Sequence, residues 1–150
     1  MDGKNILILG GTGDAISIAE KLSLIENYKI ITSLAGVTQK PRLPIGKTHI
    51  GGFGGREGLV NFLEANKINL IVDATHPFST QIKENAIFAS NELFVPIIHF
   101  VRDQWKMEIG DKWHMVDNLP EASNKLRELS STRKLKVFLT VGRKGLADFA

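Results

Sequence analysis

Three short stretches of the 150-residue sequence carry residue types that could do chemistry: GGTG at Gly10–Gly13, GGFGGREG at Gly51–Gly58 and VDATHPFST at Val72–Thr80. The first two hold eight of the fourteen glycines. Ordering glycine costs more backbone entropy than ordering any other residue, so such clusters belong where the chain needs positive φ or where a ligand must reach bare backbone. GGTG sits between an apolar run and a helical pattern, where Gly10 and Gly13 can make a tight turn and bring N–H groups to a phosphate at the helix's positive end. Its fit to GxGxxG is partial, because Ile16 stands where the third glycine would be. No GK[ST] ending follows, which disfavours an ATPase P-loop. In the third stretch Asp73 and His76 are candidate acid–base groups, and Pro77 suits the first position of a helix. A lone histidine is as readily a satisfied, partly buried one. The four histidines show no short ligand spacing and there is no cysteine, so no metal site is expected.

The elements that must position these residues follow from hydrophobic periodicity. KNILIL reads as a strand ending at glycines, and DAISIAEKLSLIE as a helix with Ile16, Ala19, Leu22 and Ile25 on one face. YKIITSL, a brief THI, INLIVDA and VPIIHFV continue as strands, with REGLVNFLEANK and STQIKENAIFASN as helices between them. Strands apolar on both faces and alternating with helices predict an α/β class, a Rossmann-like parallel sheet with helices on both faces. Right-handed crossovers then bring every strand-to-helix turn to one edge, so both glycine runs and THPF are expected to face one crevice. Beyond a mixed aromatic segment, PEASNKLRELSS reads as a helix and LKVFLTVG as a further buried strand. The division expected is a nucleotide-binding domain over 1–132 and the beginning of a second α/β domain over 133–150, with the boundary anywhere between about 101 and 134.

Composition narrows the function classes. A hydrophobic content of 43% supports a core. The lack of cysteine agrees with a reducing cytoplasm. No apolar run is long enough to span a bilayer. Nineteen basic against sixteen acidic residues give +3, a mild preference for anions with no basic arm of the kind that binds nucleic acid. No membrane or nucleic-acid partner is expected, and nothing sets an oligomeric state. The end of the second strand, ITSLAG, lacks the acid that NAD-dependent folds usually place against the ribose hydroxyls. NADPH is therefore the expected cofactor, with Ser33 able to hydrogen-bond a 2′-phosphate and Lys40 and Arg42 able to pair with it. Both charges read equally as solvated loop residues.

ILILGGTGDA, TSLAG, KPRLPIG, GGFGG, VDATHPFS and VFLTVGR, in this order and spacing, resemble the precorrin-6A and cobalt-precorrin-6A reductases of cobalamin biosynthesis. The resemblance covers essentially the whole chain. It implies NADPH-dependent hydride transfer to one double bond of a tetrapyrrole precursor rich in carboxylates. Gly10, Gly11, Thr12 and Gly13, with Asp14 beside them, would hold the pyrophosphate, and Ser33 would lie near the adenosine phosphate. Gly52, Phe53, Gly54 and Thr75, with His76, Pro77 and Phe78, would border the nicotinamide and the macrocycle. His76, with Asp73, is then the candidate proton donor, and Lys83, Arg102 and Arg143 are candidate contacts for substrate carboxylates. Trp105 is expected to close the core rather than stack on the ring system.

Two departures stand out. Where the family has AGRT this chain has Ala35-Gly36-Val37-Thr38, so the arginine expected near the 2′-phosphate is missing and Lys40 or Arg42 is left to compensate. Family members also run about a domain longer, so the chain is expected to be an N-terminal part. Two other classes fit less well. A short-chain dehydrogenase needs Tyr and Lys four residues apart, yet the only tyrosine, Tyr28, is followed by Thr32. A redox sensor would bind NADP without turnover, but has no need of GGFGG and THPF at the same cleft.

Overall fold

Strand β1 (Lys4–Leu9) sends Leu7 and Leu9 to one side of the sheet and Ile6 and Ile8 to the other, and all four are buried. This double-sided burial explains a run with no polar alternation. In the computed structural model, which describes residues 3–36, 43–103, 105–141 and 143–150, the chain divides into two compact units, Met1–Asp103 and Gln104–Ala150.

The first unit runs β1, α1 (Gly13–Leu22), β2 (Tyr28–Leu34), β3 (Lys47–Ile50), α2 (Gly55–Ala65), β4 (Ile68–Asp73), α3 (Thr80–Leu93) and β5 (Ile97–His99). The five strands are all parallel in the order β3-β2-β1-β4-β5. Ala15 and Ala19 of α1 pack on Ile6, Ile8, Ile30 and Val72. Leu59 and Leu63 of α2 and Ala86 and Ala89 of α3 pack on Leu7, Leu9, Ile31 and Ile71 on the opposite face. The fold is thus an α/β, Rossmann-like sheet covered on both faces. Because β1 has β2 on one side and β4 on the other, the chain reverses direction across the sheet at the β1/β4 boundary, the place where such sheets open a crevice at their carboxyl edge.

The second unit contains α4 (Leu119–Thr132) and a 3-10 helix over Arg143–Phe149. Asn118 caps α4: its Oδ1 accepts the Glu121 N–H at 2.9 Å while its Nδ2 donates to Glu121 Oε1 at 2.8 Å. This reciprocal cap, with Pro120 in the first turn, starts the helix. The expected strand at LKVFLTV does not form: residues 135–140 pair with no sheet, and Phe138 is 90% exposed. Trp105 closes no core either, being 90% exposed. Among the described residues no helix is long and apolar enough to cross a membrane.

The tightest backbone approach in the fold lies at the start of α2, where a Cβ added to Gly58 would overlap the carbonyl oxygen of Phe53. Gly58→Ala is therefore expected to cost about 3 kcal/mol or more, since the GGFGG loop would have to move. Gly13→Ala, which meets no atom within 4 Å, should change stability by less than about 1 kcal/mol. Urea denaturation of the two variants checks the contrast, and equal midpoints would mean that the loop yields freely.

Candidate functional site

GGTG is glycine-rich for two separate reasons. The Gly10 N–H donates to the Ser33 carbonyl at 2.9 Å, and an added Cβ at Gly10 would lie 2.9 Å from that same oxygen. Gly11 adopts φ +104°, a conformation side chains resist. Thr12 then caps α1, its Oγ1 accepting from the Ala15 N–H at 3.2 Å and donating to the Ala74 carbonyl at 2.7 Å. One hydroxyl thus ends the turn and staples it to the end of β4. With the Ala15 N–H taken, helix geometry leaves the Gly13 and Asp14 N–H groups without an intrahelical acceptor. The space over Gly13 is open, with no atom within 4 Å of an added Cβ.

GGFGG is the second bare-backbone turn. The Gly51 N–H donates to the Leu34 carbonyl at 2.9 Å, and Gly54, the residue before α2, is left-handed at φ +84°. Phe53 stacks on His49 at 4.7 Å between centroids and meets the edge of Phe62 at 4.9 Å, which fixes the loop against β3 and α2. Both turns line one cleft of about 340 Å³, together with Ser33 at the end of β2 and Thr75 after β4.

Asp73, the last residue of β4, is a carboxylate with 0% exposure. Its Oδ1 accepts the Thr75 N–H at 3.0 Å and the Thr75 hydroxyl at 2.6 Å. Its Oδ2 accepts the Lys83 ammonium at 2.7 Å and lies 2.9 Å from His99 Nδ1. Burial alone would raise its pKa, but the hydrogen bonds from Lys83, Thr75 and His99 outweigh it and hold the carboxyl down at about 2. Lys83, a substrate contact expected from the sequence, thus pairs with Asp73. His99, which sequence reasoning passed over, is the partner across the sheet: Asp73 and His99 are in register on β4 and β5. A polar residue closing an apolar strand beside another strand's terminal aspartate was the available signal.

A second cleft, of about 270 Å³, lies beside the first, and Thr75 lines both. Its walls include Thr12, Asp14, His76, His99 and Arg102. His76 is exposed, and its Nδ1 accepts the Phe78 N–H at 3.3 Å, a contact within its own loop. Pro77 lines the same cleft, whereas the Phe78 side chain is 87% exposed. The Arg102 guanidinium forms an ion pair with Asp14. The sequence-predicted residues thus gather on one edge as two neighbouring sets, Gly10, Ser33, Gly52, Phe53, Gly54 and Thr75 in the first cleft and Thr12, Asp14, His76, Pro77 and Arg102 in the second. Gly11 and Gly13 complete the turn between them. Lys40 and Arg42 lie outside the described residues, as does Val37, and Arg143 opens the 3-10 helix of the second unit. Among the described residues no three of His, Asp and Glu come together as a metal-binding group.

These residues fit a dinucleotide. Free N–H groups and open space at a helix start suit a pyrophosphate, the crevice is at the reversal of strand order, and β2 ends in Ser33 and not in an acid. The family described as "Precorrin-6x reductase CbiJ/CobK" matches residues 5–150. A precorrin-6A reductase from Rhodococcus erythropolis is 41% identical over 145 residues, which cover 97% of this chain and 57% of the relative. A cobalt-precorrin-6A reductase from Priestia megaterium is 29% identical, with 96% and 54% covered. The solved structure of a protein titled "CobK precorrin-6A reductase" superposes with a TM-score of 0.84 at 34% identity, covering 97% of this chain and 56% of that one. A dTDP-glucose 4,6-dehydratase from Bacillus anthracis, solved with NAD, shares the fold at a TM-score of 0.52 and 19% identity. The chain spans a little over half the length of the relatives it matches.

The pKa of Asp73 sets an acid dependence. Lowered from 3.8 to about 2, it contributes about 2–3 kcal/mol of stability that is fully present above about pH 4 and lost as the pH falls through about 2. Asp73→Asn is expected to remove that contribution at pH 7 and to flatten the stability curve over this window. Denaturant midpoints measured from pH 7 to pH 2.5 test it, and a variant that keeps the wild-type acid slope would show that Asp73 is not the responsible group.

Proposed function

The chain belongs to the precorrin-6x reductase family, and on that premise we propose that it forms the NADPH-binding part of a reductase acting on precorrin-6A or its cobalt-containing counterpart. The observation that carries the reading is the first cleft, lined by Gly10 of one bare-backbone turn and by Gly51, Gly52, Gly54 and Gly55 of the other. When bound there, NADPH would supply a hydride to one double bond of the macrocycle.

The chain's own residues bind and orient. The Gly13 and Asp14 N–H groups receive the pyrophosphate, and Thr12 keeps them in place through its bond to Ala74. Ser33 lies on the adenosine side, where the lack of an acid leaves room for a 2′-phosphate, and Lys40 and Arg42 from the following loop neutralise it. In the second cleft Arg102 is the cation nearest to a substrate carboxylate, exchanging its pairing with Asp14 for one with the ligand. Soluble, cytoplasmic operation on a small-molecule tetrapyrrole fits this reading.

Gly13→Val places a side chain where backbone must touch phosphate, at a position where the fold itself has room. Its NADPH affinity by calorimetry is expected to fall tenfold or more with the folded state intact, and unchanged affinity would overturn the phosphate assignment. Separately, Lys40→Ala with Arg42→Ala should reduce the preference for NADPH over NADH by tenfold or more, since a charged pair to phosphate contributes roughly 1.5–3 kcal/mol. Comparing the two cofactors in the same titration decides whether those lysine and arginine side chains read the 2′-phosphate. Anaerobic incubation with precorrin-6A and NADPH separates a reductase from a sensor that binds NADP without turnover.

A further inference from the structure

We propose that His99 donates the proton that completes the reduction, a role that rests on the reductase reading above. Reduction of a conjugated double bond needs a hydride at one carbon and a proton at the other, and the second cleft offers two imidazoles, His76 and His99. They are held very differently. His76 is exposed and its Nδ1 is bonded only to the backbone of its own turn. His99 Nδ1 lies 2.9 Å from Asp73 Oδ2, and that carboxylate is fully buried and itself fixed by Thr75 and Lys83. An acceptor-only carboxylate on Nδ1 makes Nδ1 a donor in either charge state of the ring. The proton that can be given up therefore resides on Nε2. The His99 side chain is 37% exposed and lines the cleft, so a substrate can reach it.

Position agrees with this. His99 ends β5, on the far side of the β1/β4 reversal from Ser33 at the end of β2. A dinucleotide with its phosphates at GGTG and its adenosine toward β2 directs its redox half toward β4 and β5. Of the other groups, the Thr75 hydroxyl donates to Asp73, the Arg102 guanidinium does not give up a proton in a protein, and the Lys83 ammonium lines the same cleft with one of its three N–H groups on Asp73. NADPH, when bound, would supply the hydride with its electron pair to one carbon of the double bond. The other carbon takes the proton from His99 Nε2, whose N–H bond breaks to leave a lone pair on nitrogen, and solvent restores the proton. Asp73 acts through His99 and is a positioning residue.

Two measurements test the assignment, one of them independent of turnover. Nitrogen-15 NMR of the imidazoles in the native protein is expected to show that the neutral ring of His99 carries its proton on Nδ1 and leaves Nε2 bare. A bare Nδ1 in the neutral ring would overturn the proposal whatever the substrate is. In the native protein, His99→Gln is expected to keep NADPH affinity within twofold while lowering anaerobic turnover of precorrin-6A at least 100-fold. Added imidazole should restore turnover in His99→Ala but not in His99→Gln, which fills the space. Full turnover in His99→Gln, or a loss that imidazole leaves untouched, would assign His99 a structural role and overturn the proposal. Native protein that binds NADPH yet reduces no tetrapyrrole would refute the substrate reading, and this role with it, while leaving the NMR result standing.

Discussion

A carboxylate with no access to water must find its compensation inside the protein, and Asp73 finds it in groups that come from three different elements. Stripping a charge of solvent costs several kcal/mol, and only a nearly complete set of donors offsets that. Thr75 supplies two from the turn after β4, Lys83 one from α3, and His99 one from the end of β5. Satisfying one side chain therefore fixes where the turn bends, how α3 begins and where β5 stops relative to β4. Thr75, held twice by Asp73, is also the residue shared by the two clefts. The residue common to both is thus held in place by a single buried charge.

The two clefts are built on opposite principles. The first is defined by what it lacks: glycines at Gly10, Gly51, Gly52, Gly54 and Gly55 leave backbone exposed to whatever lies between the two turns. Such a surface recognises phosphate and sugar by N–H direction and close approach, and it tolerates no added side chain. The second is defined by what projects into it, namely imidazoles, an arginine and an aspartate. Side chains of that kind discriminate by charge and exchange protons. The GGTG turn joins the two, because Gly10 lines the first while Thr12, whose hydroxyl caps α1 and donates to the Ala74 carbonyl, lines the second.

Most of the sheet was legible in the sequence because burial on both faces leaves runs such as KNILIL and INLIVDA with no polar alternation, and because GGTG marks the only conformation that can turn such a strand tightly into a helix. The edge location of all three motifs followed from handedness alone. What escaped was pairing. Nothing local in IIHF says that His99 lies beside Asp73, 26 residues away; that contact exists only once β4 and β5 are aligned in register. The same holds for Lys83: nothing local in STQIKENAIF says that its ammonium meets the Asp73 carboxylate, 10 residues away.

The second unit shows the same asymmetry between local and collective structure. Helix α4 carries its own instructions, an Asn118 cap answered by Glu121, and forms where its sequence says. LKVFLTV has the composition of a buried strand, yet composition supplies only the side chains. A strand exists through hydrogen bonds to a neighbour, and its alternate residues are buried only if a layer covers them. Among the described residues no strand pairs with 135–140, so Val137 and Phe138 stay on the surface. Strand propensity here states a capacity for pairing, and that capacity is satisfied only by a sheet edge, which this segment cannot provide for itself.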